Sequence, residues 1–402
     1  MEQKILVVAG ETSADLHGAN LVLSLKKLAG EKKLPLPGIM GLGGPQMQSA
    51  GVEIFHDLTQ LASAGLDPLR HFNKFAQIFR QLITRVRKEK PALAVLIDFP
   101  DFNLRLAKKL KESGIPVIYY ISPQIWAWRP GRIKTIARVV DKMLVIFEFE
   151  KKLYQKYHIP VEFVGHPLLD VIAEVSNQKL EVRKRLNLKE NDFIIGLLPG
   201  SRENEVKRHL PEMLKAGKIL LEKWSTGITG NRTNAQPVFI IAAAPKISPS
   251  LIKRLISNFP LPAHIYYNQP YEVMQASNLL MTSSGTATVE AAIFGIPMVV
   301  MYKVSFLTAL AFKPLIKTPY YSMVNILAGK KVVPEFIQQE ARAEKIAAAA
   351  LEMIQKNRLP QISGELIKIR QSLGSPGAST RAAEVILDHL HKCIPKLQQS
   401  VR

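Results

Sequence analysis

The 402-residue chain is about twice the size at which one hydrophobic core stops growing comfortably, so two domains are expected. A hydrophobic share of 47% with 22% charged residues excludes collagen-like, low-complexity and coiled-coil classes. Fifty-four Lys and Arg against 33 Asp and Glu leave a net charge of +21, which points to an anionic partner: nucleic acid, a phosphorylated substrate or an acidic membrane.

The single cysteine, Cys393, excludes a disulfide framework, a cysteine zinc site and a redox pair, and implies a reducing, cytoplasmic location. The apolar run Ile5 to Ala9 is too short for a signal-peptide core. The most apolar region, Ala291 to Phe312, is broken by Gly295, Pro297 and Lys303, so no transmembrane helix is expected and the protein reads as soluble or peripheral.

In chain order, short apolar runs alternate with amphipathic stretches, the pattern of βα units on parallel sheets. The first series of strands is Lys4 to Ala9, Ile39 to Leu42, Leu93 to Ile97, Val117 to Ile121, Lys142 to Ile146 and Val161 to Val164. The charge-rich stretch Asp170 to Asp192 then marks a domain boundary with one short helix. The second series is Phe193 to Leu198, Val238 to Ala242, His264 to Tyr266, Asn278 to Met281 and Met298 to Met301. Ser225 to Pro237 reads as a surface loop. Helical spacing resumes from Ala378 to Leu390, in a last helix able to pack back on the first domain. Two doubly wound domains with a ligand cleft between them fit this order.

Chemistry is expected at strand ends. Gly10-Glu11-Thr12-Ser13-Ala14-Asp15 follows the first strand without matching G-x-G-x-x-G. Glu11 and Asp15 would repel a dinucleotide pyrophosphate, so they suit sugar hydroxyls better than NAD. His17 reads as a capping or packing residue. The helix from Arg70 to Arg80 sets Phe72, Phe75, Ile78 and Phe79 on one face amid basic residues, as an interfacial membrane helix or an ordinary core-facing one would. From Pro68 to Arg138 there are 15 basic and four acidic residues, about half the excess charge.

Asp98-Phe99-Pro100-Asp101-Phe102-Asn103 places two carboxylates after a strand, with Asp98 available as a general base and Asp101 suited to cap the next helix. The spacing is not the D-x-D of metal-dependent sugar transferases, and no ligand cluster occurs elsewhere, so neither metal nor cofactor is expected. Ser122 to Arg129, with Trp126 and Trp128, interleaves aromatic and basic residues. Aromatic residues amount to only 7%, which disfavours RNA.

In the second half, Pro199-Gly200-Ser201-Arg202 turns from a strand into a helix. Such a turn aims amides at an anion while Arg202 adds a fork of donors; a plain turn with a surface arginine is the alternative. Thr282-Ser283-Ser284-Gly285-Thr286-Ala287-Thr288 makes a second turn of this kind, in which Ser and Thr could also serve only as caps. Glu290, one turn beyond Thr286, is placed to accept both hydroxyls of a ribose. Two such turns with a trailing carboxylate form a cradle for a nucleoside diphosphate.

Read together, these motifs resemble the lipid-A-disaccharide synthase family, glycosyltransferases of the GT-B type (family 19). Val164-Gly165-His166-Pro167, Asn325-Ile326-Leu327-Ala328-Gly329 and Val333-Pro334-Glu335-Phe336-Ile337-Gln338 complete the match, which covers almost the whole chain. The resemblance implies two Rossmann-like domains, 1–170 with the helix 376–402, and 171–375. It implies inverting transfer of 2,3-diacylglucosamine from UDP-2,3-diacylglucosamine to 2,3-diacylglucosamine 1-phosphate (lipid X), forming a β-1,6 disaccharide at the cytoplasmic face of the inner membrane. Asp98 and Arg202 are then catalytic, and Gly200, Ser201, Arg202, Ser284, Gly285, Thr286, Ala287 and Glu290 bind UDP. Glu11, Asp15, Asp101, Asn103, Trp128, Arg129, Asn325 and Gln338 bind acceptor or sugar, and Phe72, Phe75, Ile78 and Phe79 form a membrane face. A homodimer through the C-terminal helix is a further expectation, and no nucleic acid is a partner. Two segments depart from the family pattern: Ala14 stands where Gly is usual, and Ala62 to Arg70 fits poorly. A UDP-sugar 2-epimerase or another GT-B enzyme of UDP-GlcNAc is the rival enzyme class, and a basic membrane- or RNA-binding module the rival without catalysis.

Overall fold

The computed structural model describes residues 4–59, 68–127, 129–173, 179–225, 236–305 and 318–399; in the helix starting at Pro68 side chains are described from 73 onward, and in the last helix up to 392. The chain divides into two compact units, Met1–Asp170 with Leu373–Arg402, and Val171–Ser372.

The first unit runs β1 (Lys4–Ala9), α1 (Thr12–Glu31), β2 (Gly38–Gly43), α2 (Pro45–Ser49), β3 (Glu53–Asp57), α3 (Pro68–Glu89), β4 (Leu93–Ile97), α4 (Pro100–Glu112), β5 (Val117–Tyr120), α5 (Arg132–Val139), β6 (Lys142–Val145), α6 (Glu148–Gln155) and β7 (Val161–Phe163). Its sheet has the order β3-β2-β1-β4-β5-β6-β7 and is parallel throughout. β4 reads Leu-Ala-Val-Leu-Ile and is buried along its whole length, as a strand covered by helices on both faces must be. Leu6, Val8, Met40, Ala94, Leu96, Val117, Tyr119 and Met143 share one core with residues of α3 to α6. The alternate residues Ile5, Val7 and Ile97 are equally buried and by the strand period face the other side.

In α3, Ile78, Leu82 and Val86 recur every fourth position and are all buried in that core. Each contributes about 1.5–3 kcal/mol by leaving water. This corrects the expected membrane face. Ile78 is only 4% exposed, and Phe75 and Phe79 pack on the same core, their rings 6.1 Å from Phe99 and 5.4 Å from Phe102. The side chain of Phe72 lies outside the described residues. An apolar stripe on a helix serves a sheet or a lipid surface equally well, and here the sheet takes it.

The second unit carries α7 (Leu168–Ala173, across the boundary), α8 (Lys179–Arg185), β8 (Ile194–Leu198), α9 (Glu203–Ser225), β9 (Val238–Ala243), α10 (Pro249–Asn258), β10 (Ala263–Tyr267), α11 (Pro270–Ala276), β11 (Leu279–Ser283), α12 (Thr286–Ile293), β12 (Met298–Tyr302), α13 (Met323–Ala328), β13 (Glu335–Ile337), α14 (Ala343–Gln355) and α15 (Leu359–Ser372). Its parallel sheet has the order β10-β9-β8-β11-β12-β13. Among the described residues two short helices, α7 and α8, and not one, occupy the boundary stretch. Of the loop read at Ser225 to Pro237, residues 226–235 lie outside the described residues.

The last helix, α16 (Ala378–Gln399), returns to the first unit and packs along α1. Asp170 fastens its start: the carboxylate accepts from the amides of Gly377, Ala378 and Ser379. An aspartate at a helix N-terminus satisfies orphan amides and meets the positive end of the helix dipole. No described helix is long and apolar enough to cross a membrane.

Candidate functional site

In an open parallel sheet, ligands bind where the strand order reverses, beyond the carboxyl ends of the two strands that part there. In the first unit that point lies between β1 and β4, which end in Gly10-Glu11 and Asp98. In the second it lies between β8 and β11, which end in Pro199 to Arg202 and Ser284 to Thr286. Both pairs of motifs singled out from the sequence therefore sit at switch points.

Asp98 and Phe99 both take the left-handed conformation, with φ of 46° and 49°, which costs non-glycine residues on the order of 1–3 kcal/mol each. Phe99 precedes Pro100, the first residue of α4, and a residue before proline is kept out of the right-handed helical region. Neighbouring donors hold the turn. Tyr119 Oη donates to the Asp98 carbonyl at 2.5 Å and Asn103 Nδ2 donates to it at 2.8 Å, while the Asp98 amide donates to Tyr120 O at 3.1 Å. Gly10 completes the fit: a Cβ there would lie 2.3 Å from the Phe99 ring.

The Asp98 carboxyl is half-buried, and its pKa is pushed from 3.8 up to about 7, first by loss of solvent and second by the nearby Glu11 carboxylate. A carboxyl that titrates near neutrality is well matched to taking a proton from a hydroxyl.

Asp101 does not cap α4. Phe99 holds the cap position and Asp101 lies in the first turn, its exposed carboxylate paired with Arg129 Nη1 at 2.9 Å and with Arg132. Asp15 is also placed differently than expected. It is buried, and its oxygens accept from the amides of Gly44 (2.7 Å), Gln46 (3.0 Å) and Met47 (3.1 Å), so it caps α2 rather than facing a sugar. Asn103 is fully buried, and its Nδ2 donates to the Ile97 and Asp98 carbonyls, which makes it a brace for the strained turn. Trp128 lies outside the described residues. Trp126 donates to Glu150 Oε1 at 2.9 Å, and Ser122 donates to the same oxygen at 2.7 Å, which holds the stretch between β5 and α5.

In the second unit, Gly200 has φ of 120°, and a Cβ there would lie 2.5 Å from Glu205 Oε2. That carboxylate oxygen accepts from the amides of Ser201 (3.1 Å) and Arg202 (3.4 Å), so the turn already presents its donors to an anion, here one of its own. Arg202 is 56% exposed, with Nη1 3.8 Å from Glu205 Oε1. At the other turn, Gly285 holds the cap position of α12 with no side-chain cap, and Ser284 Oγ donates to Tyr321 O at 3.2 Å. Neither hydroxyl of Ser284 and Thr286 is spent on capping, and Gly285 and Thr286 are exposed beside half-buried Ala287. Glu290 is half-buried, its pKa pushed up to about 7 by burial, and accepts from Tyr271 Oη at 3.3 Å.

Asn325 and Gln338 are each engaged with the backbone. Asn325 is fully buried and bonded to the backbone of Val332 and Val333, where it closes the loop between α13 and β13. Gln338 Oε1 accepts from the Val304 amide at 3.3 Å. Among the described residues no group of His, Cys, Asp and Glu could hold a metal ion. Sequence reasoning missed Tyr119, Glu205 and Tyr271; only Glu205, in the first turn of α9, carried a local signal, that of a carboxylate able to accept from amides at its own helix start.

Two parallel Rossmann-like units, a returning C-terminal helix and anion-type turns at the switch point of the second define a GT-B protein, the class of nucleotide-sugar glycosyltransferases and epimerases. The solved S. aureus MnaA–UDP structure has this fold, with a TM-score of 0.65 at 15% identity over 97% of each chain. The family is decided by sequence. The model of the Lipid-A-disaccharide synthetase family, LpxB, matches residues 5–386. The lipid-A-disaccharide synthase of Geobacter metallireducens is 39% identical over 392 residues (97% of this chain, 98% of the relative), and that of Syntrophus aciditrophicus 41% over 394 (96% and 98%). The chain belongs to the lipid-A-disaccharide synthase family, and is a glycosyltransferase of lipid A biosynthesis.

Proposed function

We propose that the chain transfers 2,3-diacylglucosamine from UDP-2,3-diacylglucosamine to the 6-hydroxyl of lipid X with inversion, and that Asp98 is the general base. The observation that carries this reading is the Asp98 carboxyl, strained into the turn after β4 at the switch point, where burial and Glu11 push its pKa up to about 7. Attack on an anomeric carbon needs a base for the hydroxyl proton and a stabilised leaving group. The leaving UDP is held by Arg202, the amides of Ser201 and Thr286, and the hydroxyls of Ser284 and Thr286, with Glu290 on the ribose. Its phosphates displace the Glu205 carboxylate from the Ser201 and Arg202 amides. No metal or cofactor enters this scheme.

Glu11 beside Asp98 keeps that carboxyl basic and is placed to accept from an acceptor hydroxyl. Arg129 and Arg132 around Asp101 supply positive charge for the acceptor phosphate. The exposed Lys and Arg side chains of α3, α4 and α5 support an encounter with the anionic cytoplasmic face of the inner membrane. That encounter rests on charge, since Phe75, Ile78 and Phe79 of α3 pack on the core.

The test is UDP release from UDP-2,3-diacylglucosamine by the purified protein in EDTA. Release that requires lipid X supports the reading; release without acceptor, or none with both substrates present, refutes it.

A further inference from the structure

His209, in the second turn of α9, is a fully buried imidazole that the transfer scheme does not use. Its Nδ1 lies 2.8 Å from the Pro199 carbonyl, which can only accept, so Nδ1 carries the hydrogen. Its Nε2 lies 2.9 Å from the Lys303 amide, which donates, so Nε2 is the lone-pair nitrogen. The ring is therefore the neutral Nδ1–H tautomer, and burial, which holds its pKa below the usual histidine range, keeps it neutral. An imidazolium would have to turn to the Lys303 carbonyl, 3.2 Å from Nε2, and would leave the Lys303 amide unpaired.

Pro199 follows β8 and Lys303 follows β12, the two strands that flank β11 in the sheet. One ring thus links the strand ends on either side of the Ser284 to Thr286 turn and opens directly into the Gly200 to Arg202 turn. Lys303 is itself fixed: its Nζ pairs with Glu212 at 2.9 Å, and Glu212 accepts from the Ala343 amide at the start of α14 at 2.9 Å. The strut therefore ends on an anchored residue.

We propose that His209 is a positioning residue for the donor diphosphate, a neutral imidazole that sets the Gly200–Arg202 turn at a fixed spacing from the Ser284–Thr286 turn. The inference rests on the reading of these two turns as the UDP site. A lone buried histidine carries no sequence signature for such a role, because its partners lie 10 and 94 residues away.

Three measurements test it. Long-range 1H–15N NMR of the histidine rings should show His209 with a protonated Nδ1 and a bare Nε2 at neutral pH; an Nε2–H tautomer or an imidazolium overturns the proposal. His209→Leu, with circular dichroism reporting its fold, should raise the Kd for UDP and the KM for the UDP-sugar roughly tenfold, leaving the acceptor KM within about twofold. A folded leucine variant with wild-type UDP affinity overturns the proposal. His209→Asn, which keeps a donor for Pro199 but does not reach Lys303, provides the same readout should the leucine variant not fold: donor KM raised about threefold or more supports the strut, and an unchanged value overturns it. Wild-type protein that binds no UDP at all would instead refute the reading of the turns, which separates the two failures.

Discussion

Replacing Asp98 by Asn removes one charge and leaves the backbone at ease, since asparagine tolerates the left-handed conformation better than other side chains. The native carboxyl titrates at about 7 against 3.8 for the free group, a difference of roughly three units, each worth about 1.4 kcal/mol. Because the native pKa is raised, the folded protein binds more protons than the unfolded chain between these values. Stability therefore falls as pH rises from about 4 to 7, by up to roughly 4 kcal/mol before solvent screening of the half-buried group is allowed for. Asp98→Asn lacks this loss, so urea denaturation at pH 4 and pH 8 should show the variant gaining on wild type by about 2–4 kcal/mol between the two. Its kcat should fall about 100-fold with UDP affinity retained. A variant whose stability relative to wild type does not change with pH would show that Asp98 is not desolvated, and one whose turnover is near normal would show that it is not the base.

Arg202→Ala should weaken UDP binding about tenfold or more by titration calorimetry, as a charge-assisted fork to phosphate is lost; unchanged affinity removes Arg202 from the site. Asp15→Ala leaves three amides at the start of α2 without their acceptor, so denaturant melts should show a loss of about 2–3 kcal/mol, with the folded fraction keeping its UDP affinity. Ile78→Ala should cost about 2–4 kcal/mol and leave salt-sensitive binding to anionic vesicles intact; the reverse pattern, full stability with lost vesicle binding, would restore the membrane face.

The parallel architecture was legible because buried strands read as unbroken apolar runs, as in Leu93 to Ile97. β3 and β13 were not read, since both lie at sheet edges and their sequences, Glu-Ile-Phe-His-Asp and Glu-Phe-Ile, are only half-buried. The turns of the site could be located because glycines, prolines and hydroxyl residues follow strands there. Which polar residues within them face a ligand could not, because a side chain that satisfies backbone amides has the same spacing as one that meets a substrate. Asp15 and Asn325 proved to be of the first kind and Asn103 donates to backbone carbonyls in the same way, and only the hydrogen-bond accounting of the folded chain separates them from Asp98. His209 shows the converse: a residue in mid-helix, silent in sequence, that joins two strand ends.

The central claim is inverting transfer to a lipid acceptor, and the product's structure tests it most directly. Wild-type protein incubated with UDP-2,3-diacylglucosamine and lipid X should yield a disaccharide whose new anomeric proton shows the large coupling of a β-1,6 linkage in the 1H NMR spectrum, with one UDP released per linkage. An α-linked disaccharide would contradict inversion with Asp98 as base, and recovery of a C2-epimerised sugar without any disaccharide would contradict the transfer itself.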